Sequence, residues 1–230
     1  MSGFAEVMEA TWPPAAHIPC GPFLLRDGQG GGKRVSAATV EAAWSAADLD
    51  RAEAAMAAPL FLIREGDDAL DAALAARGYK VVDPVLAYVA PVDELCGEGP
   101  ARMTTFPHWP PMEIARVLWA DAGIGPARLA VMARAKGAKC AVLGRANDRA
   151  SGVAFVACHG RTAMLHALEV VPALRRQGSA QNILRAAAAW AKGEGADRLS
   201  LVVTVANAPA RALYAGMGMV EAGAYHYRQK

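Results

Sequence analysis

Apolar and polar positions alternate between two periods along the second half of the chain. Ala101 to Phe106 predicts a strand, and after Trp109-Pro110-Pro111 the residues Ile114, Val117 and Leu118 fall on one face of a helix. Gly123 to Pro126 interrupts that helix, and Arg128 to Ala135 predicts a second one. Cys140 to Leu143 and Val153 to Cys158 read as strands joined through the polar turn at Asn147-Asp148. Ala163 to Val171 predicts a further strand, ended by Pro172, which cannot donate to a central ladder. From about Ser179 to Lys192 a helix is expected, with Ile183, Ala187, Trp190 and Ala191 as its buried stripe and Arg185 and Lys192 opposite. Leu199 to Val205 is a near-continuous apolar run, as in a strand covered on both faces. Asn207 can cap a short helix through Ala215, Gly216 and Gly218 stop it, and Val220 to Arg228 closes the chain as a strand. The order β-α-α-β-β-β-α-β-α-β predicts an α/β protein with a mixed sheet.

The first half echoes this ending. Phe61 to Arg64, then Asp67 to Leu70, then Arg77-Gly78-Tyr79 repeat the strand, helix and glycine-stop rhythm of Leu201 to Met219, with Asp67 in the place of Asn207 and Gly78 in that of Gly218. Lys33 to Val40 is expected to be the strand before it, and Ala46 to Ala57 the intervening helix. Trp12-Pro13-Pro14 also echoes Trp109-Pro110-Pro111. Gly97-Glu98-Gly99-Pro100 has turn-forming composition. Residues 1–96 are therefore read as a partial, degenerate copy, and residues 100–230 as the complete domain.

Composition narrows the classes. Hydrophobic residues make up 54% and charged residues 20%, as in globular proteins. A formal net charge of only +2 argues against a dedicated nucleic-acid binder, though not against a local basic patch. Cys20, Cys96, Cys140 and Cys158 form no Cys-x-x-Cys pair, and His17, His108, His159 and His226 have no ligand spacing, so no metal site is expected. Met1 to Thr11 lacks a basic start followed by an apolar run, and no apolar stretch is long enough to cross a bilayer. A cytoplasmic protein without a membrane partner is the expectation.

The chemistry concentrates in Val170-Val171-Pro172-Ala173-Leu174-Arg175-Arg176-Gln177-Gly178-Ser179-Ala180. A buried strand stops, a short basic loop follows, and small residues open a helix. The first N–H groups of a helix lack intrahelical partners, and its aligned peptide dipoles place roughly half a positive charge there. Small residues let anionic oxygens approach the backbone, while Arg175 and Arg176 add full charges. An ordinary strand-to-helix turn has the same local composition, so this loop alone does not decide the matter.

Pro-x-x-Arg-Arg-x-Gly-x-Ala, a helix carrying Trp190-Ala191, the apolar strand, and then Asn207-x-x-Ala210-x-x-Leu213-Tyr214-x-x-x-Gly218 resemble the GNAT acetyltransferase superfamily over residues 100–230. The resemblance implies a GNAT-like acyl-CoA N-acyltransferase fold with a partial tandem repeat, and acetyl-CoA as cosubstrate with no metal. It assigns Arg175, Arg176, Gln177, Gly178, Ser179 and Ala180 to the pyrophosphate of coenzyme A. Leu168 to Val170 would meet the pantetheine arm through their backbone, and that backbone could stabilise the thioester oxygen as charge develops. Asn207 matches an asparagine that contacts coenzyme A, and Tyr214 a tyrosine that protonates the departing thiolate. A phenol of pKa about 10 can make that donation.

The general base departs from the family pattern. Where many relatives place a glutamate on the fifth strand, Val202 stands; Glu169 and His166 are the candidate replacements, and a chain of waters is a third route. The first half lacks the arginine loop and has Leu74 in the place of Tyr214, so it is expected to be a scaffold or an acceptor-side wall. Gly28-Gln29-Gly30-Gly31-Gly32-Lys33 fails the P-loop pattern at Asp27 and Arg34 and is expected to be a mobile hairpin-like loop. The expected activity is N-acetylation of a primary amine on a small molecule or peptide, by direct attack in a ternary complex. Acylation of a protein N-terminus or lysine, or a non-catalytic acyl-CoA-binding module, are the alternatives, and a homodimer is among the assemblies allowed.

Overall fold

In chain order, the computed structural model has α1 (Phe4–Thr11), β1 (Ala16–Cys20), β2 (Phe23–Asp27), β3 (Thr39–Val40), α2 (Ala46–Ala54), β4 (Leu60–Arg64), α3 (Asp68–Ala76), β5 (Lys80–Pro91) and α4 (Val92–Cys96). These are followed by β6 (Thr105–His108), α5 (Glu113–Asp121), α6 (Pro126–Arg134), β7 (Lys139–Ala146), β8 (Arg149–His159) and β9 (Thr162–Val170). The chain ends with α7 (Ser179–Gly193), β10 (Arg198–Thr204), α8 (Ala208–Gly216) and β11 (Val220–Gln229). The structure describes residues 3–230; Met1 and Ser2, which open the segment 1–96, lie outside the described residues.

β1, β2 and β3 form a small sheet, and the other strands form an eight-stranded mixed sheet in the order β4-β11-β5-β10-β9-β8-β7-β6. β7 and β8 are buried on both faces. Val142, Ala154 and Val156 turn toward α7, where they join Ile183, Leu184 and Ala187. Ala141, Leu143, Val153 and Phe155 turn to the opposite face and pack with Trp119 of α5 and Met132 of α6. Alternation with period two thus splits one pair of strands between two cores. Among the described residues no helix is long and apolar enough to cross a membrane.

The two halves interlock rather than sit side by side. β5 lies between β10 and β11, while β11 lies between β5 and β4. Arg64 pairs with Tyr225 as Thr204 pairs with Val85, and Lys80 pairs with Gln229 as Val89 pairs with Val220. The shift in numbering that carries Arg64 onto Thr204 carries Val85 onto Tyr225, and also carries α3 onto α8. The endings of the two halves are therefore related by a pseudo-twofold, with their last strands exchanged.

Two expectations need correction, and one strand was not anticipated. Lys33 to Val40 is not one strand: Lys33–Val35 is a turn of 3-10 helix closed by Ser36 N–H donating to Lys33 O at 3.1 Å, and only Thr39–Val40 is extended. The glycine-rich loop before it is packed, not mobile, since a Cβ on Gly31 would lie 2.5 Å from Val131 Cγ2 of α6. β5 was hidden by Asp83-Pro84, which reads as a break. In the fold Asp83 takes φ 45°, and the register with β11 shifts there, so a bulge absorbs the proline within the strand.

Candidate active site

β9 and β10 run parallel but pair only from Thr162–Arg198 to Leu165–Leu201. Beyond that point the strands diverge, leaving the backbone of Leu168, Glu169 and Val170 facing open space. The divergence starts at a bulge. His166 opposes Phe155 and Glu169 opposes Val153, so β9 carries one extra residue, and Ala167 sits at φ 50°. In a regular strand His166 and Glu169, three apart, would face opposite sides. The bulge re-aims them, and both line one cavity.

A cleft of about 660 Å³ opens between the diverging strands. Its floor is Leu168 to Val170; one end is Arg175, Arg176, Gly178, Ser179 and Ala180, and its far wall is Asn207 with Tyr214 of α8. Gly178 at φ 80° turns the chain into α7, a conformation costly for residues with a Cβ. α7 has no side-chain cap, and its ladder begins with Asn182 N–H donating to Gly178 O at 2.9 Å. The amides of Ser179, Ala180 and Gln181 therefore point out of the helix end. Ser179 Oγ is buried there without a partner, an orphaned polar atom that an oxyanion would satisfy. Arg175 is braced by its Nε donating to Val170 O at 3.2 Å. Gln177 stands apart from the other loop residues, since it does not line the cleft and instead accepts from Asn147 Nδ2 at 2.8 Å.

Asn207 caps α8, its Oδ1 accepting from Ala210 N–H at 3.2 Å. Its side-chain amide N–H remains available to the cleft.

A second cavity of about 580 Å³ lies on the other side of β9 and β10. Trp12, Gly31, Gly32, Lys33, Arg34, Asp83 and Val85 of the first half form one wall, and Ile124 and Arg128 part of another. Val202, at the position where a glutamate was sought, is one of its apolar residues. The two cavities share Leu168, Glu169, Asn207 and Tyr214, so they meet at a carboxylate and a phenol.

Burial raises the Glu169 pKa above the ordinary carboxylate value, against the opposing pull of Arg175 and Arg128. Burial and then the charge of Glu169 push Tyr214 up to about 12. Tyr214 is thus protonated near neutral pH, and the carboxylate beside it is held closer to a base's working range. The two groups are electrostatically linked: a proton arriving on Glu169 removes one of the influences that make the phenol a weak acid.

His166 is not a base. Arg34 Nη1 can only donate, so the 3.0 Å contact makes Nδ1 the acceptor. Nε2 then carries the proton and donates to Thr11 Oγ1 at 2.9 Å, while Thr11 donates onward to Val7 O at 2.7 Å. Both ring nitrogens are engaged. Burial first, and the charge of Arg34 second, push its pKa well below the usual imidazole value. The ring is a neutral strut. Sequence reasoning missed the partners on this side, Arg34 and Arg128, because their meeting with β9 is entirely non-local.

The sequence matches the model of the acetyltransferase (GNAT) family over residues 104–219. No curated protein matches it. Among solved structures, the fold is similar to a GCN5-related N-acetyltransferase from Kribbella flavida, at 16% identity and a TM-score of 0.73, covering 100% of this chain and 96% of that one. It is also similar to a functionally unknown conserved protein from Staphylococcus epidermidis, at 12% identity and TM-score 0.67, covering 95% and 94% of the two chains. A tandem GNAT protein from the clavulanic acid biosynthesis pathway aligns at 15% identity and TM-score 0.60, over 90% of this chain and 77% of that one.

Proposed function

Because the chain belongs to the acetyltransferase (GNAT) family, we propose that it transfers an acetyl group from acetyl-CoA to a primary amine, with both substrates bound together. The observation that carries this reading is the junction: two cavities on opposite sides of the splayed strands meet at Glu169 and Tyr214. A donor and an acceptor can then approach one point from opposite sides, which is the arrangement direct transfer needs.

The residues present fit coenzyme A. The outward amides of Ser179, Ala180 and Gln181, the orphaned Ser179 Oγ and the two arginines suit a diphosphate. Bound acetyl-CoA would supply the activated thioester. Glu169 takes the proton that the acceptor's ammonium must lose, and its raised pKa brings it nearer that task. Tyr214 holds a proton at its hydroxyl for the sulfur that leaves, and neutralisation of Glu169 strengthens it as a donor at that stage. We read residues 1–96 as a degenerate copy retained as the acceptor-side wall, a reading that the pseudo-twofold and the likeness to a tandem protein support.

Val202 motivated the alternative of a binding module without turnover; Glu169 at the junction favours the enzyme. Calorimetry with acetyl-CoA, followed by free-thiol release across an amine panel, tests the proposal. Heat without any thiol release would favour the module, and no heat at all would remove the whole reading.

A further inference from the structure

Arg34 sits in the second cavity in an electrostatically incomplete setting. Its Nη1 donates to the neutral His166, its Cζ lies 5.9 Å from the centre of the Trp12 ring, and the phenols of Tyr225 and Tyr227 are beside it. Nε is shut off from solvent and has no hydrogen-bond partner. Among the described residues no carboxylate lies within 4.0 Å of its nitrogens. Tyr227 does not supply the missing charge, since burial and Tyr225 raise its pKa and keep it protonated. A guanidinium partly withdrawn from water, with its Nε unpartnered and no anion beside it, is a costly arrangement, and one that a bound anion would correct.

The rest of the cavity has a direction. Arg128 lines it too but pulls on Glu169, and Lys33 is tied to Asp83 at 2.6 Å, so among the described residues Arg34 is the cation of this cavity left without a carboxylate. Glu169 lies beside Tyr214. Arg34 and Glu169 thus give the cavity two separate points of opposite charge. Glu169 lies three residues along β9 from His166, which holds Arg34; the bulge at Ala167 sets these three steps against two on β8, a span of roughly 7 Å. A volume of about 580 Å³ suits a small molecule.

We propose that the acceptor is a small zwitterion, a carboxylate-bearing amine whose carboxylate is held by Arg34 and whose reacting ammonium, several bonds away, faces Glu169. The planar guanidinium fork matches a carboxylate, and the neutral His166 fixes the fork without competing for the anion. The inference rests on the transferase reading for the role of the amine, but the anion site itself does not.

The test uses the full chain with 6-aminohexanoate, its amide, 1,6-diaminohexane and 6-aminohexyl phosphate as matched probes. In the presence of coenzyme A, the acid is expected to raise Tm more than the other three. It should also exceed the amide in kcat/KM for thiol release by about tenfold or more, the scale of a charge-assisted hydrogen bond. Arg34→Met should bring that acid-to-amide ratio toward one, and Arg34→Lys, which keeps the charge but loses the fork, should retain part of it. Equal protection by acid and amide, preference for the diamine or the phosphate, or an undiminished ratio in Arg34→Met overturns the proposal. If Arg34→Met does not fold, the wild-type panel and Arg34→Lys decide. Acetyl-CoA calorimetry on the same samples separates the two ideas: heat without carboxylate preference removes only this inference, whereas carboxylate protection without acetyl-CoA heat removes only the transferase reading.

Discussion

The indole N–H of Trp119 donates to the carbonyl of Ala167 at 2.9 Å, so a fully buried helix residue holds the bulge from which β9 parts from β10. The bulge sets the aim of Glu169, and α5 therefore acts on the reacting centre without touching it. Trp119→Phe keeps a benzene ring in the core, loses the donor and leaves space where the five-membered ring was. Denaturant titration should show a loss of about 2–4 kcal/mol, and the KM for acetyl-CoA should rise as the carbonyl is freed. A variant with wild-type stability and wild-type KM would show that the bulge holds itself.

Tyr214→Phe tests the proton donor. Removing the hydroxyl should lower kcat by about 100-fold, the low end for a general acid, with little change in the dissociation constant for acetyl-CoA. The measurements are single-turnover thiol release and calorimetry on the same variant. Equal kcat in the two proteins assigns the proton to water.

Glu169 makes a double prediction about pH. As a base it works when ionised, so kcat/KM should rise with pH through a value displaced above 4.5, and Glu169→Gln should abolish that limb. As a buried acid with a raised pKa, it binds its proton more tightly in the folded state. Stability is therefore lost as pH rises from the unfolded-state pKa through the folded one. Glu169→Gln should be more stable than wild type at neutral pH, with the gain vanishing below pH of about 4. A gain that is constant with pH contradicts the burial argument.

Asp71 clamps the exchanged strand. Its carboxylate accepts from Arg228 Nε at 2.7 Å and Nη2 at 2.8 Å, and meets His226 Nε2 at 2.7 Å. The hydrogen bonds from Arg228, opposed by burial and supported by His226, hold its pKa at about 2. Its pKa is depressed, so its contribution is present above 3.8 and lost as pH falls toward 2. Asp71→Asn should cost about 2 kcal/mol at pH 7, and melting curves of the two proteins should converge near pH 2.

Residues 100–230 expressed alone should fail to fold. Removing the first half takes β5 out from between β10 and β11 and strips β11 of its pairing with β4. β10 becomes an edge and β11 is left with no strand partner. Far-UV circular dichroism and a cooperative melt decide it, and a cooperative melt near that of the full chain shows that the C-terminal part closes its own sheet.

The parts legible in the sequence were those written locally. Pro172, the arginine pair, Gly178 and the spacing from Asn207 to Tyr214 lie close along the chain, and the cleft they predict is where the fold places one. The order of elements after Ala101 was equally readable, because β7, β8 and α7 carry clean periods. What escaped was non-local. β5 is interrupted by Pro84, and only its pairing partners reveal a continuous strand. The bulge at Ala167 leaves no mark in composition, so Glu169 and His166 were indistinguishable as bases until Arg34, 132 positions away from His166, settled the ring's protonation. Arg34 itself looked like the end of a glycine-rich loop.

The exchange of final strands has a consequence for how this chain changes over time. If residues 1–96 are a degenerate copy, as proposed, the segment is free to drift in chemistry but not in register, because the ladder bonds that β5 gives to β10 and β11 lie inside the eight-stranded sheet. The length and pairing of the first half are thereby tied to the sheet that carries the cleft, whatever becomes of its side-chain chemistry.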